Sequence, residues 1–380
     1  MENQQELSFV VSPQNWGKLF ISKHHYAIEL AKLGHLVYFI EPPVETRFFS
    51  IPKVEIFDTE YENLKVVKSK LFFSFYFKFH LAFLHHFLIR VHRKLLLRKL
   101  GIPSIVLSFD LVNNFPLDGL SGKRIFFAAD EPKADNKLTS AIGSDLIVSV
   151  SQHILDIYQR VYPNIKKLLL NHGVADEFFL DYSKYPKKYK GINVGLSGNF
   201  MFNDIDYPTL IEIIKQNKEV NFHFYGPTKI EESNIGADIS ENYELFYDLI
   251  SHAKNTTIHG VLNKLDLAKE LNQMDAFLIC YHPCNGQSSG SNSHKILEYL
   301  STGKVIITSN FSHYEGTELF QMGDRKNTNL SQLFSDVIEN LEQNNHESFQ
   351  KNRKLFAQKN SYSNQVQILL ETLSQNAKTE

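Results

Sequence analysis

The sequence predicts a layered α/β protein built as two domains, and three observations carry that prediction. The chain runs to 380 residues, past the roughly 250–300 at which a single hydrophobic core stops growing. Its opening alternates a short apolar run, a helical repeat and a second apolar run, the pattern of a βαβ unit in a parallel sheet. Residues 288–310 read as loop, helix, turn and strand, a second unit of the same kind far from the first.

Composition narrows the function. The hydrophobic fraction of 43% and formal net charge of −2 fit a soluble globular protein with no global drive toward nucleic acid. Cys280 and Cys284 are the whole cysteine complement, so no disulfide framework is implied and a reducing, cytoplasmic setting is expected. With His282 they offer three ligands where a structural zinc takes four, and no metal is expected. Residues 1–6 are polar and acidic, without the basic and apolar regions of a secretion signal.

Residues 7–12 read as a buried strand, followed by the turn-rich loop of Pro13, Asn15, Trp16 and Gly17. A helical pattern covers 21–33 and stops at Gly34 and His35; 36–40 is the second strand, closed by Pro42 and Pro43. Residues 63–109 hold nine Lys or Arg and no Asp or Glu, with eight aromatics between Phe72 and Phe87. This stretch reads as a basic, aromatic helix. Lys78, His80, His85 and His86 interrupt it, so no run reaches the roughly 20 apolar residues of a membrane span. Two readings stay open: 70–100 lies on an anionic bilayer or a lipid acceptor, or it is a core helix with a basic outer face.

Strand-like runs follow at 104–109, 124–128 and 145–150, with a helix at 151–161. Residues 182–190, rich in Lys, Tyr and Pro, read as a linker. Beyond it come a strand from 192, a loop at Gly198 and Asn199, and a helix with Pro208 in its first turn. Asp204 and Asp206 are spaced like a metal-holding Asp-x-Asp pair, but Pro208 favours Asp206 or Tyr207 as an N-cap. A strand at 221–225 precedes an insertion of mixed polar and aromatic content at 229–256; strand, helix and strand then follow at 257–259, 265–273 and 276–281. From 331 onward the chain alternates polar helical runs.

The stretch 288–310 carries the chemistry. Ser289, Gly290, Ser291, Asn292 and Ser293 are small and polar, and Asn292 or Ser293 suits an N-cap. Ile296, Leu297 and Leu300 form the apolar stripe of the helix, Gly303 fits the position past its end, and 305–308 is β-branched and apolar. A helix N-terminus offers unpaired N–H groups and about half a positive charge, so an anionic group, most simply a diphosphate, suits that mouth. Glu298, one turn in, can accept from vicinal hydroxyls, as an acidic residue does from ribose in dinucleotide-binding sheets. The same spacing also fits a plain capped helix with Glu298 as a solvated charge.

The run Lys295, Ile296, Leu297, Glu298, Tyr299, Leu300, Ser301, Thr302, Gly303 resembles the nucleotide-sugar signature of GT-B glycosyltransferases, especially the retaining family-four-like bacterial enzymes. The phrase from Ala27 through Leu30 to Gly34 and His35 is similar to one in their first domain, and 171–178 resembles the phrase that closes it. The resemblance implies a GT-B fold: two Rossmann-like domains facing each other across a cleft. It implies an acceptor domain at 1–178, a linker at 179–190, a nucleotide-sugar domain at 191–357, and a helix at 358–380 packing back on the first domain.

The activity implied is transfer of a sugar from a UDP- or GDP-sugar to a hydroxyl of a glycan or lipid-linked acceptor, as in cell-surface polysaccharide synthesis. It would be retaining, free of metal or other cofactor, and placed at the inner face of the membrane. Glu298 matches the family's second donor glutamate, on ribose; Gly290 stands where the first is found. Gly198 and Asn199 would lie beneath the phosphates, with 289–293 and Lys295 on the diphosphate. Asn15, Trp16, Gly17 and His25 would face the acceptor, and Asp130, past the strand 124–128, is the candidate base. Two other functions fit the scaffold: a nucleotide-sugar epimerase, which needs carboxylates converging on the sugar, and a non-catalytic glycan-binding protein, which Gly290 favours.

Overall fold

The computed structural model describes residues 5–17, 20–47, 49–129, 131–132, 138–182, 184–229, 241–282, 294–311 and 314–376. The chain divides into two compact units, Met1–Asn171 with Tyr362–Glu380, and His172–Ser361.

The first unit is built on an eight-stranded sheet in the order β3-β4-β2-β1-β5-β6-β7-β8. Its strands are β1 (Leu7–Val11), β2 (Leu36–Ile40), β3 (Lys53–Asp58), β4 (Leu64–Lys70), β5 (Ile105–Ser108), β6 (Lys123–Phe127), β7 (Leu146–Ser149) and β8 (Lys166–Leu169). All neighbours are parallel except the edge pair β3 and β4. The central strands are apolar along their length because both faces are covered; Phe9, Val10, Val106 and Ile147 are fully buried. The edge strand β3 is almost wholly exposed and carries Lys53 and Glu55, which blunts the edge.

Helix α1 (Ser22–Lys32) joins β1 to β2 and ends before Gly34, whose φ of 90° ordinary residues avoid. The basic aromatic stretch is not one helix: its first residues form β4, followed by α2 (Tyr76–His80) and α3 (Ala82–Leu100). The two helices part at Leu81, whose φ of −139° and ψ of 65° are not helical. Helix α3 turns His85, Ile89, His92, Arg93, Leu96 and Leu100 inward, and α4 (Gln152–Val161) follows β7.

The second unit holds six parallel strands in the order β11-β10-β9-β12-β13-β14. They are β9 (Ile192–Ser197), β10 (Val220–Tyr225), β11 (Thr256–Gly260), β12 (Ala276–Ile279), β13 (Val305–Thr308) and β14 (Gln321–Met322). Helix α5 (Tyr207–Gln216) has Asp206 as its N-cap, accepting from Thr209 N at 3.2 Å, with proline in its first turn. The stretch read as an insertion of mixed polar and aromatic content contains α6 (Glu241–His252), which buries Tyr243, Phe246 and Ile250 at helical spacing. Helix α7 (Lys264–Leu271) is capped by Asn263, and α8 (His294–Thr302) precedes β13.

Helices α9 (Leu330–Glu339), α10 (Leu341–Asn344) and α11 (Glu347–Lys359) complete this unit. Val174 N donates to Asn360 O at 2.9 Å, so residues 172–178 belong with the second unit. The last helix, α12 (Tyr362–Asn376), belongs to the first unit and lies against α1, burying Tyr362, Val366, Leu369 and Leu373.

Candidate functional site

The strand order of the second sheet reverses at β9, which has β10 on one side and β12 on the other. Open α/β sheets place their ligands outside the carboxyl end of such a strand. Strand β9 ends at Ser197, whose N–H donates to the Tyr299 hydroxyl at 2.6 Å. Tyr299 is fully buried and stacks on Phe277 with ring centres 4.1 Å apart. Burial pushes its phenol well above the usual range, so it stays a neutral hydroxyl.

The next residue, Gly198, has φ of 136° and donates its N–H to Tyr225 O at 2.9 Å. A Cβ there would stand 2.1 Å from Lys295 Nζ, so the ammonium of α8 lies directly over the Gly198 backbone. Gly226, at the end of β10, repeats the φ of 136°, and a Cβ on it would meet Gly198 O at 2.0 Å. Two glycines, each one residue past the end of its strand, thus let the ends of β9 and β10 touch backbone to backbone.

Lys295 donates to the Tyr281 hydroxyl at 2.6 Å. Tyr281 O in turn accepts from Asn327 Nδ2 at 2.6 Å, and the same amide donates to Asp206 Oδ2 at 3.1 Å. Asp206 is therefore occupied as a cap and a tie rather than as half of a metal-holding pair. Asn199 Oδ1 accepts from Met201 N at 3.0 Å, closing the turn after Gly198. Cys280 is buried beside this network, and burial pushes its thiol well up, so it stays protonated.

Glu298, three residues after Lys295, is 5% exposed rather than solvated. Its Oε1 accepts from Lys264 Nζ at 3.0 Å, and that ammonium also sits 5.6 Å from the ring centre of Phe178. The second unit therefore gathers Gly198, Asn199, Lys295 and Tyr281 at one strand end and adds the Glu298–Lys264 pair one helical turn away. Tyr281, Lys264 and Asn327 are absent from the sequence reading, and Tyr299 figures there only as part of the motif, with no role of its own. Tyr299 lies inside the motif, one residue after Glu298; the others come from segments whose spacing gives no signal.

In the first unit, Trp16 N donates to Glu41 Oε1 at 2.7 Å, and the indole packs against Phe20 and Phe39. Ile21 N donates to His24 Nδ1 at 3.2 Å, which leaves Nε2–H to donate to Asn15 O, also at 3.2 Å. Burial lowers the His24 pKa, in keeping with that neutral tautomer. Asn15, Trp16 and Gly17 thus share the loop past β1, with Gly17 exposed. His25 instead stacks on Tyr362 of α12, ring centres 4.6 Å apart, which gives it a packing contact. Asp130, Cys284 and Ser289, Gly290, Ser291, Asn292 and Ser293 lie outside the described residues. Among the described residues no group of three or more His, Cys, Asp or Glu side chains gathers, and no helix is long and apolar enough to cross a membrane.

No protein-family model matches the chain, and no curated protein sequence does. Solved structures match it from end to end. Sucrose-phosphate synthase from Thermosynechococcus elongatus is 10% identical with a TM-score of 0.70, covering 99% of this chain and 100% of that one. An alpha,alpha-trehalose-phosphate synthase (UDP-forming) from Burkholderia xenovorans, solved with glucose-6-phosphate, is 11% identical at TM-score 0.66, covering 97% and 100%. HepE from Anabaena, solved with UDP and glucose, is 11% identical at TM-score 0.65, covering 98% and 100%. The chain has the GT-B fold, with two Rossmann-like domains.

Proposed function

We propose that the protein is a glycosyltransferase that moves a sugar from a UDP-sugar to a hydroxyl of a saccharide acceptor, with retention and without a metal. The observation that carries this reading is the Lys295 ammonium lying over the left-handed Gly198 backbone at the carboxyl end of β9, the strand where the sheet order reverses. A cation over bare backbone at that position suits a diphosphate. The fold is shared with a UDP-forming synthase and with a protein solved with UDP and glucose, which supports uridine as the donor's nucleoside.

In this reading Lys295 and residues 289–293 hold the diphosphate, Gly198 and Asn199 lie beneath it, and Glu298, set by Lys264, accepts from the ribose hydroxyls. The bond from the sugar's anomeric carbon to the diphosphate oxygen breaks, and the acceptor oxygen bonds to that carbon on the same face. The acceptor's proton passes to the departing diphosphate, whose charge Lys295 stabilises. Asp130 is the carboxylate proposed to orient the acceptor hydroxyl. Incubation with UDP-sugars and candidate acceptors, followed by proton NMR of the product's anomeric centre, tests this. Release of UDP with a product of the donor's anomeric configuration is expected; absence of UDP release from every UDP-sugar with every acceptor overturns it.

We also propose that α3 contacts an anionic bilayer surface. Phe83 and Phe87 are 88% and 58% exposed, and Arg90, Lys94 and Arg98 continue the same outer stripe at helical spacing. Apolar rings beside flanking cations are the composition of an interfacial helix.

A further inference from the structure

Strand β9 ends on a serine whose hydroxyl the donor chemistry above leaves unused. Ser197 is 9% exposed, and its Oγ lies 2.8 Å from the Tyr299 hydroxyl, which already accepts from Ser197 N at 2.6 Å. Among the described residues the Tyr299 hydroxyl makes no other hydrogen bond. A phenol has one proton to give, so the direction of the bond between the two hydroxyls follows from counting donors. If Ser197 donated, the Tyr299 oxygen would accept twice and its own proton would have no partner. Tyr299 is fully buried and burial keeps it protonated, and an enclosed donor left unpaired is costly. Tyr299 therefore donates to Ser197 Oγ.

The serine's own proton is thereby turned away from Tyr299, and it has no acceptor among the described residues. Ser197 lines a cavity of about 20 Å³ together with Gly198, Asn199, Tyr281 and Lys295, and apolar side chains from β9, β12 and α5 complete the lining. A space of that size holds one water-sized group, so it admits a single oxygen and excludes a sugar ring or a base. One ammonium and no described carboxylate line it, which favours an oxygen that carries negative charge.

We infer that Ser197 donates its hydroxyl proton to one phosphoryl oxygen of the bound diphosphate, beside Lys295, and that Tyr299 is the positioning residue that turns it there. Tyr299 itself touches no ligand; it acts by holding both the N–H and the Oγ of Ser197. Without the phenol the serine hydroxyl is free to rotate among its staggered positions, and only one of them faces the phosphoryl oxygen. The inference rests on the donor-site reading for the diphosphate, while the orientation of the two hydroxyls is independent of it.

The test is calorimetric titration of pyrophosphate and of UDP, with a chelator present, into the full chain and its Ser197→Ala, Tyr299→Phe and double variants. Pyrophosphate carries the phosphoryl oxygens without nucleoside or sugar, so it isolates the contact. The parent is expected to bind both ligands. Ser197→Ala should weaken each about tenfold, the worth of a hydrogen bond to a charged group, and Tyr299→Phe about threefold, the cost of a hydroxyl choosing again among three staggered positions. The double variant should bind no more weakly than Ser197→Ala, because a positioning residue has nothing left to position. Equal losses from Tyr299→Phe in the two backgrounds would show a purely structural tyrosine and overturn its role. Affinity undiminished by Ser197→Ala overturns the inference and leaves the cavity to a water; if that variant folds poorly, undiminished affinity in Tyr299→Phe does the same. A parent that binds pyrophosphate but not UDP contradicts the UDP-sugar reading alone, with Ser197 then judged on pyrophosphate. A parent that binds neither overturns both.

Discussion

Gly198 is the residue on which the proposed donor site turns. Its φ of 136° strains any side chain, and a Cβ would press on the tip of Lys295, which can swing aside. At Gly226 the same change meets the carbonyl oxygen of Gly198, which cannot. Gly226→Ala is therefore expected to lower the melting temperature more than Gly198→Ala, while Gly198→Ala loses UDP affinity despite folding. Equal melting temperatures for the two variants would contradict the backbone contact. Glu298→Gln keeps the shape but removes the charge that holds Lys264 at 3.0 Å. It is expected to weaken UDP-sugar binding by about tenfold, near 1.4 kcal/mol, and calorimetry with unchanged affinity would dismiss the ribose assignment. Glu298, Lys295 and Gly198 were legible because each sits in a local motif with a physical reason for its residue type. Lys264 and Asn327 were not, because their role depends on packing against segments more than 20 residues away in the chain.

At the scale of elements, most strands and helices were readable from period and punctuation. The central strands β1, β2, β5 and β7 are short apolar runs, and α5 announces itself with Asp206 and Pro208. Helix α6 escaped because its polar composition hides the spacing of Tyr243, Phe246 and Ile250, and the break at Leu81 escaped because no glycine or proline marks it. The outer stripe of α3 makes its own prediction. The protein is expected to pellet with vesicles containing anionic phospholipid at low salt, and Lys94→Ser, Arg98→Ser and Lys99→Ser together should abolish most of that binding. Pelleting that is indifferent to salt and to the triple change would remove the proposed bilayer contact.

For the whole molecule, acid is the condition that its buried histidines resist least. His85, His92 and His223 are each held down to about 4 by burial, helped at His85 by Lys78 and at His223 by His259. Unfolded, each would titrate near 6.5, so between about 4 and 6.5 the unfolded chain binds more protons and stability falls as pH falls. Urea midpoints are expected to drop steadily from pH 7 to pH 4.5, and His92→Gln should flatten that slope; a midpoint independent of pH would show that these rings charge without cost.

The central claim is that Lys295 and the Gly198 turn form a metal-independent diphosphate site. Calorimetric titration of UDP, with a chelator present, into the parent and a Lys295→Ala variant tests it most directly. The account predicts that the parent binds and that the variant binds about tenfold more weakly with its melting temperature preserved. Failure of the parent to bind UDP, or equal binding by the variant, would contradict it.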